Sequence, residues 1–433
     1  MNAEVRAEAP AYVRFASWGV IVFLFALPCI AGRLTTYFIF LGALAALATP
    51  TIRDAFRARS PNPIDLLFVA AAALPSFAFM FTAEEPRDLL FALNFLPLLL
   101  AIPFRWQLER LASVDGAAMI SWLSLAGAGI ALVVAYFQVV VLGLDRAGQP
   151  LMSAFHFADT ALLLGFIAPA GLFVRGPATR TTWWLLAGPV IGTVAVLLSG
   201  TRGALLALPV LALLLFCFAF VQAKRRHFVV AIALGGVVFG AAALIVAGQL
   251  GYSRAIDAFF ASGQAVFGGE VDAPTKERLV MYWGAWQAFQ HSPLVGYGWL
   301  DMVPAIIPYV PKDMVETMLG FRQLHNGLIS FAVGAGLPGI ASFLILSVAP
   351  LVAVLRTPRD PQFAARLYMA LTLCGGYAVF QLTIIMIGFE FHTVQYAFMT
   401  MAILSLAAQP KHGAAAQSVP GKAAVGSETA KTA

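Results

Sequence analysis

The apolar residues of this chain run in blocks, each about long enough to wind a helix across the ~30 Å hydrocarbon core of a bilayer. Short polar segments rich in Pro, Gly or Arg divide them, as suits helix ends at an interface. A soluble fold of this size needs a polar surface, and soluble domains carry roughly 25% charged residues. Here 11% of 433 residues are charged, 61% are hydrophobic and the mean hydropathy is +0.85. The pattern predicts an all-α integral membrane protein of about twelve transmembrane helices.

The spans are expected at 16–32, 35–50, 63–82, 88–104, 117–143, 157–174, 183–199, 203–222, 228–248, 324–350, 367–388 and 393–408. The chain then divides into 1–248 with spans one to nine, a loop at 249–323, 324–408 with the last three spans, and a tail at 409–433. The loop is of mixed polarity and long enough for two or three helices of its own. The tail is rich in Ala, Gly, Ser and Lys, a composition expected to be disordered.

Orientation follows from the cations, which accumulate on the cytoplasmic side. With a cytoplasmic N-terminus, the inner segments hold 18 of the 27 Lys and Arg residues, and the short outer loops only Arg33, Arg87, Arg146 and Arg202. The long loop and the active face are then periplasmic, in a bacterial inner membrane, with both termini cytoplasmic. The net charge of +6 follows from this bias and says nothing of nucleic acid. An apolar first span after Arg14 resembles a signal segment, but Pro28 before Cys29 fits lipoprotein cleavage poorly, and the span is expected to stay uncleaved. Cys29, Cys217 and Cys374 fall in apolar spans without paired spacing, so neither disulfides nor a cysteine metal site is expected. There is no glycine-rich phosphate loop, HExxH or paired-carboxylate motif.

Three polar stretches near the expected outer face remain. In Ser199-Gly200-Thr201-Arg202-Gly203, Arg202 opens a helix, where free N–H groups and the helix dipole favour an anion and a guanidinium fits phosphate. It reads either as a phosphate ligand or as an interfacial anchor. In the long loop, Arg278 shares a helical face with Tyr282, Trp286 and Phe289, a face able to lie on the membrane surface or simply to be solvated. Pro293-Leu294-Val295-Gly296-Tyr297-Gly298 follows. His325-Asn326 opens span ten, ahead of Gly336-Leu337-Pro338-Gly339. His325 reads as a structural residue or as a base for a hydroxyl proton. Arg146, His156, Asp159, Arg254, His291, Glu390 and His392 read as structural or solvated groups, and Arg322 as an accessory phosphate contact.

The third stretch resembles the bacterial O-antigen ligases and the wider ligase and polymerase superfamily. The family pattern is His, then Asn, Ser or Gln, nine residues, Gly, two residues, and Gly, Thr or Tyr; His325-Asn326, Gly327 to Ala335, Gly336, Leu337-Pro338 and Gly339 match every position. The Ser-Gly-Thr-Arg-Gly and Pro-Leu-Val-Gly-Tyr-Gly elements, with Gly200 and Gly203, resemble family features in the same order. The resemblance implies a membrane glycosyltransferase of GT-C-like architecture, needing no metal or cofactor. Its donor is a glycan on undecaprenyl diphosphate and its acceptor a sugar hydroxyl of the lipid A core. By that resemblance Arg202 and Arg278 bind the diphosphate, and His325 acts as base or orients the acceptor. The sister polymerase is the alternative. A transporter is less well supported, because Asp65 and Asp159 lie near span ends rather than at mid-bilayer.

Overall fold

The computed structural model describes residues 11–48, 62–109, 116–150, 152–174, 180–222 and 273–406. The expected span at 228–248, the loop segment 249–272 and the tail at 409–433 lie outside the described residues. Among the described residues every regular element is helical.

Among the described residues, eight helices are long and apolar enough to cross a membrane: Pro63–Thr82, Asp88–Arg105, Gly116–Val141, Ala154–Phe173, Thr181–Ser199, Arg202–Val221, Gly327–Leu355 and Phe363–Phe380. Two shorter apolar helices accompany them, α1 (Ala11–Phe25) and α3 (Leu34–Ala48) of 15 residues each, and the last described helix, Glu390–Leu406, has 17 residues and a more polar start. The expected first span is divided, because Pro28 cannot continue a helix and instead opens the one-turn α2 (Pro28–Ala31). From there the elements are α4 (Pro63–Thr82), α5 (Leu96–Glu109), α6 (Gly116–Tyr136), α7 (Ala154–Ile167), α8 (Ala187–Ser199), α9 (Arg202–Leu205) and α10 (Ala207–Gln222). After the undescribed stretch come α11 (Ala273–His291), α12 (Val315–Leu319), α13 (Gly327–Leu355), α14 (Phe363–Phe380) and α15 (Glu390–Leu406).

Polar residues at helix ends set the boundaries. Asn62 caps α4 by accepting from Ile64 N at 3.2 Å, while Asp65 accepts from Asn62 N at 2.9 Å and Pro63 fills the first position. Ser153 caps α7 and Asn326 caps α13 in the same way. Around these, α7 forms the centre of the bundle, with 89% of its apolar window buried. Gly165 of α7 meets Gly188 of α8 so closely that a Cβ on Gly165 would lie 2.5 Å from the Gly188 carbonyl oxygen.

Alternating helix ends gather at two poles. At one, Arg105 of α5 pairs with Asp65 of α4 at 2.9 Å, Gln362 accepts from Ala117 N of α6 at 2.8 Å, and buried Arg366 grips both oxygens of Asp360. The other pole holds the ends of α8 and α14 and the starts of α7, α9, α13 and α15, and its backbone is irregular. Span eleven was expected to run to 388, but α14 stops at Phe380, and 381–389 returns to α15 as turns.

The second irregularity is inside α13. Gly336 takes φ 61° and ψ −146°, a conformation essentially reserved for glycine, and breaks the helix. The break frees the carbonyls of Val333 and Gly334, which accept from Tyr297 N at 2.9 Å and Gly298 N at 3.0 Å. Leu337 N, freed on the far side, donates to Pro293 O at 2.8 Å, and Pro338 sits in the first turn of the resumed helix, where its missing N–H is harmless. The Pro293–Gly298 segment is thus docked into the broken helix by these three hydrogen bonds. A Cβ on Gly336 would lie 2.6 Å from Pro293 O. Gly336→Ala is therefore expected to cost at least about 1–2 kcal/mol from backbone handedness alone, with the clash added. A lower thermal unfolding midpoint of the purified protein in detergent checks this.

Candidate active site

The first wall of the site is the corner between α8 and α10. Gly200, in the left-handed region at φ 64°, ends α8 and turns the chain. The Thr201 hydroxyl donates to Ala154 O at the start of α7 at 3.1 Å, and the Ser199 hydroxyl lies 2.7 Å from Val196 O. The two hydroxyls before Arg202 therefore hold the corner itself. Arg202 follows as the exposed first residue of α9.

Arg146, from the connection between α6 and α7, lies across the same corner. Its Nε donates to Ser199 O at 3.2 Å and its Nη2 to Gly200 O at 3.3 Å, so a guanidinium covers the free carbonyls of the α8 C-terminus. The guanidinium also lies 5.1 Å from the Phe155 ring centre. Burial, and then the neighbouring Arg202 cation, lower its pKa below the ordinary arginine value. Two guanidinium groups in electrostatic reach of one another form a focus for an anion with several oxygens.

The second wall is the entry to α13 and the 381–383 return. Gly327 N donates to Gln381 O at 2.6 Å, and Leu382 O is approached by Asn326 Nδ2 at 3.5 Å and by the Tyr282 hydroxyl at 3.1 Å. The same hydroxyl is 3.2 Å from His325 O. These contacts force the chain through a left-handed residue at His325, φ 49°, the one non-glycine with positive φ among the described residues. Phe321 meets the imidazole edge-on at 5.2 Å, and the Thr383 backbone lies near enough to oppose the lowering of its pKa. Neutral imidazole keeps one ring nitrogen as an acceptor.

Thr383 joins the walls. A Cβ on Gly203, the residue after Arg202, would lie 2.5 Å from Thr383 Oγ1. Only glycine lets the corner approach that closely, and the residue it approaches has its backbone beside His325. Arg278, half-exposed on α11 one turn before Tyr282, acts electrostatically on both Tyr282 and His325. Arg202, Arg278 and His325, expected together from sequence, thus sit at one pole. Arg322 is exposed three residues before His325. Gly336 and Gly339 lie deeper; a Cβ on Gly339 would meet Phe331 O, so both serve the packing of α13.

Residues 187–344 match the family model of the O-antigen ligases. The chain carries an O-antigen ligase-superfamily domain. No curated protein gives a significant match to the chain. The O-antigen ligase domain begins at α8 and ends within α13, so it contains Arg202, Arg278 and His325 but neither Arg146 nor the 381–389 return. Members of this superfamily are glycosyltransferase-like ligases or polymerases, and the apolar helices mark the chain that carries this domain as a membrane protein.

Sequence reasoning undervalued three residues. Arg146 carried a signal, being one of four cations in short loops on its side. Tyr282 reads from sequence as part of an aromatic face open to the membrane surface or to solvent, whereas its hydroxyl reaches His325 O and the large apolar side chains exposed on α11 are Leu279, Trp283 and Trp286. Thr383 was hidden in an apolar run that reads as unbroken helix. Of the weaker candidates, His156 and His392 are buried together, Glu390 and His291 are exposed, and Arg254 lies outside the described residues.

Burial, and then the Arg278 cation, lower the His325 pKa, while the Thr383 backbone opposes them. The neutral ring therefore persists below pH ~6.5, the ordinary imidazole value. Diethyl pyrocarbonate modifies neutral imidazole, so its reaction at His325, followed by mass spectrometry, should titrate with a midpoint below that value. Arg278→Gln should move the midpoint upward.

Proposed function

We propose that this enzyme is an O-antigen ligase. It transfers a glycan from undecaprenyl diphosphate to a sugar hydroxyl of the lipid A core, at the periplasmic face of the bacterial inner membrane. The observation that supports the reading is the close approach of Gly203, the residue after Arg202, to Thr383, whose backbone lies near a His325 ring with a lowered pKa. The excess of Lys and Arg in the opposite segments supports a periplasmic site and cytoplasmic termini.

In this mechanism Arg202 and Arg278 hold the diphosphate, with Arg146 beside Arg202 and Arg322 as an outer contact. The acceptor oxygen attacks the anomeric carbon, and the carbon–oxygen bond to phosphate breaks with its electron pair going to the diphosphate. The hydroxyl proton passes to the free nitrogen of His325. Guanidinium groups stabilise the charge that develops on the leaving group. The diphosphate is a good leaving group without protonation, which supports a metal-independent reaction, and a single displacement inverts the anomeric centre. The His325 backbone strain is consistent with a side chain held where a reaction needs it.

The test is reconstitution of the full chain with undecaprenyl-diphosphate glycan, lipid A core and excess chelator. Transfer to the core is expected; lengthening of the lipid-linked glycan instead would make the enzyme a polymerase, and loss with chelator would reject the metal-free mechanism. Arg202→Ala, Arg278→Ala and His325→Asn should each insert in the membrane and lose on the order of 100-fold or more in transfer rate. Asparagine tolerates the left-handed backbone, so its loss reports the missing base. Full activity in the His325→Asn variant would remove the residue from the mechanism.

A further inference from the structure

The transfer described above leaves one buried cluster of titratable groups without a task. His392, in the first turn of α15, places Nε2 2.7 Å from Nδ1 of His156, in the first turn of α7. Both rings are buried, at 0% and 8% exposure, and Phe389 packs on His156 with ring centres 4.7 Å apart. At this separation one ring donates an N–H and the other accepts it, so each imidazole is held in a single tautomer. Each end of the pair is anchored in a different wall of the site.

On the α7 side, Ala154 O, two residues before His156, accepts from the Thr201 hydroxyl of the Arg202 corner, and Phe155 lies under the Arg146 guanidinium. On the α15 side, His392 O accepts from the Tyr377 hydroxyl of α14 at 3.0 Å, and Thr393 Oγ1 accepts from Gly388 N at 2.9 Å. Those bonds secure both ends of the 381–389 return, which carries Leu382 and Thr383 against Asn326, Tyr282 and His325. A second link, Thr160 Oγ1 to Gln395 Oε1 at 3.3 Å, joins α7 and α15 one turn deeper. The histidine pair is the link level with the site.

We propose that the His156–His392 hydrogen bond is a positioning pair, locking the wall that holds the Arg202 corner to the return that packs against the start of α13 beside His325. The role rests on the reading that Arg202 and His325 serve one transfer reaction. Neither histidine touches substrate. Removing one ring leaves a buried nitrogen unsatisfied and lets α7 and α15 shift, and a misplacement of about 1 Å between reacting groups is enough to cost up to ~100-fold in rate.

The experiment uses the full chain in nanodiscs with undecaprenyl-diphosphate glycan and lipid A core, reading kcat, donor KM and melting temperature. His156→Ala and His392→Ala should each lower kcat by about tenfold or more, with donor KM within about threefold of wild type. His392→Gln, which keeps a donor and an acceptor, should recover most of kcat. The double alanine variant should be no slower than the worse single variant, because both changes break one interaction. Wild-type kcat in His392→Ala would overturn the proposal. So would rate losses that add in the double variant, or a His392→Gln variant as slow as His392→Ala. Absence of transfer by the wild-type chain to any acceptor would instead reject the transfer reading, and the pair's role with it.

Discussion

Backbone groups enclosed in an apolar bundle have no water to turn to, and the architecture of the site pole follows from how this chain satisfies them. Two helices are interrupted there, one inside α13 at Gly336 and one beyond Phe380. Each interruption releases carbonyl and amide groups, and each set is claimed by a neighbouring segment. Tyr297 and Gly298 take the carbonyls of Val333 and Gly334, while Gly327, Asn326 and Tyr282 take those of Gln381 and Leu382. The hydrogen bonds that repair the breaks are the same ones that hold the loop helix α11, the entry to α13 and the 381–383 return against one another.

That arrangement explains why a histidine adopts a left-handed backbone. His325 stands between Leu324, buried in a cluster with α11, and Asn326, which must cap α13. Both neighbours are fixed, so the residue between them absorbs the turn. Its ring then lies between Phe321 and the backbone of Thr383. Burial and the positive field of Arg278 favour the neutral form of that ring, the state in which imidazole accepts a proton. The cation proposed to hold the diphosphate thus also acts on the proposed base.

Much of this was legible before any coordinates. The blocks of apolar residues marked the eight membrane-length helices among the described residues, because length and hydropathy are local properties read directly against bilayer thickness. The end of α14 was read eight residues too far. The matched spacing from His325 to Gly339 and the glycine-flanked Arg202 pointed to a ligase-type site, and residues 187–344 match that family. The glycines had a physical meaning that the spacing alone did not convey: Gly336 permits a break, and Gly203 permits a close approach. Where the reading stopped short, the missing information was a partner. Gln381 to Gly388 is apolar enough to pass as the end of a helix, and only the neighbours that claim its carbonyls show why it is not one.

By itself, the sequence determined a chain of apolar helices of membrane-crossing length, the asymmetry of its cations, and the candidates for binding phosphate or accepting a proton. Those depend on composition and on spacing along one helix. Tertiary structure alone decided that Arg146 joins Arg202, that Tyr282 turns inward, that Thr383 lies between Arg202 and His325, and that His156 meets His392 across 236 residues. Each of these is a contact between segments far apart in the chain. No local periodicity encodes such a contact, because it forms only when whole helices pack and each buried polar group must find its partner.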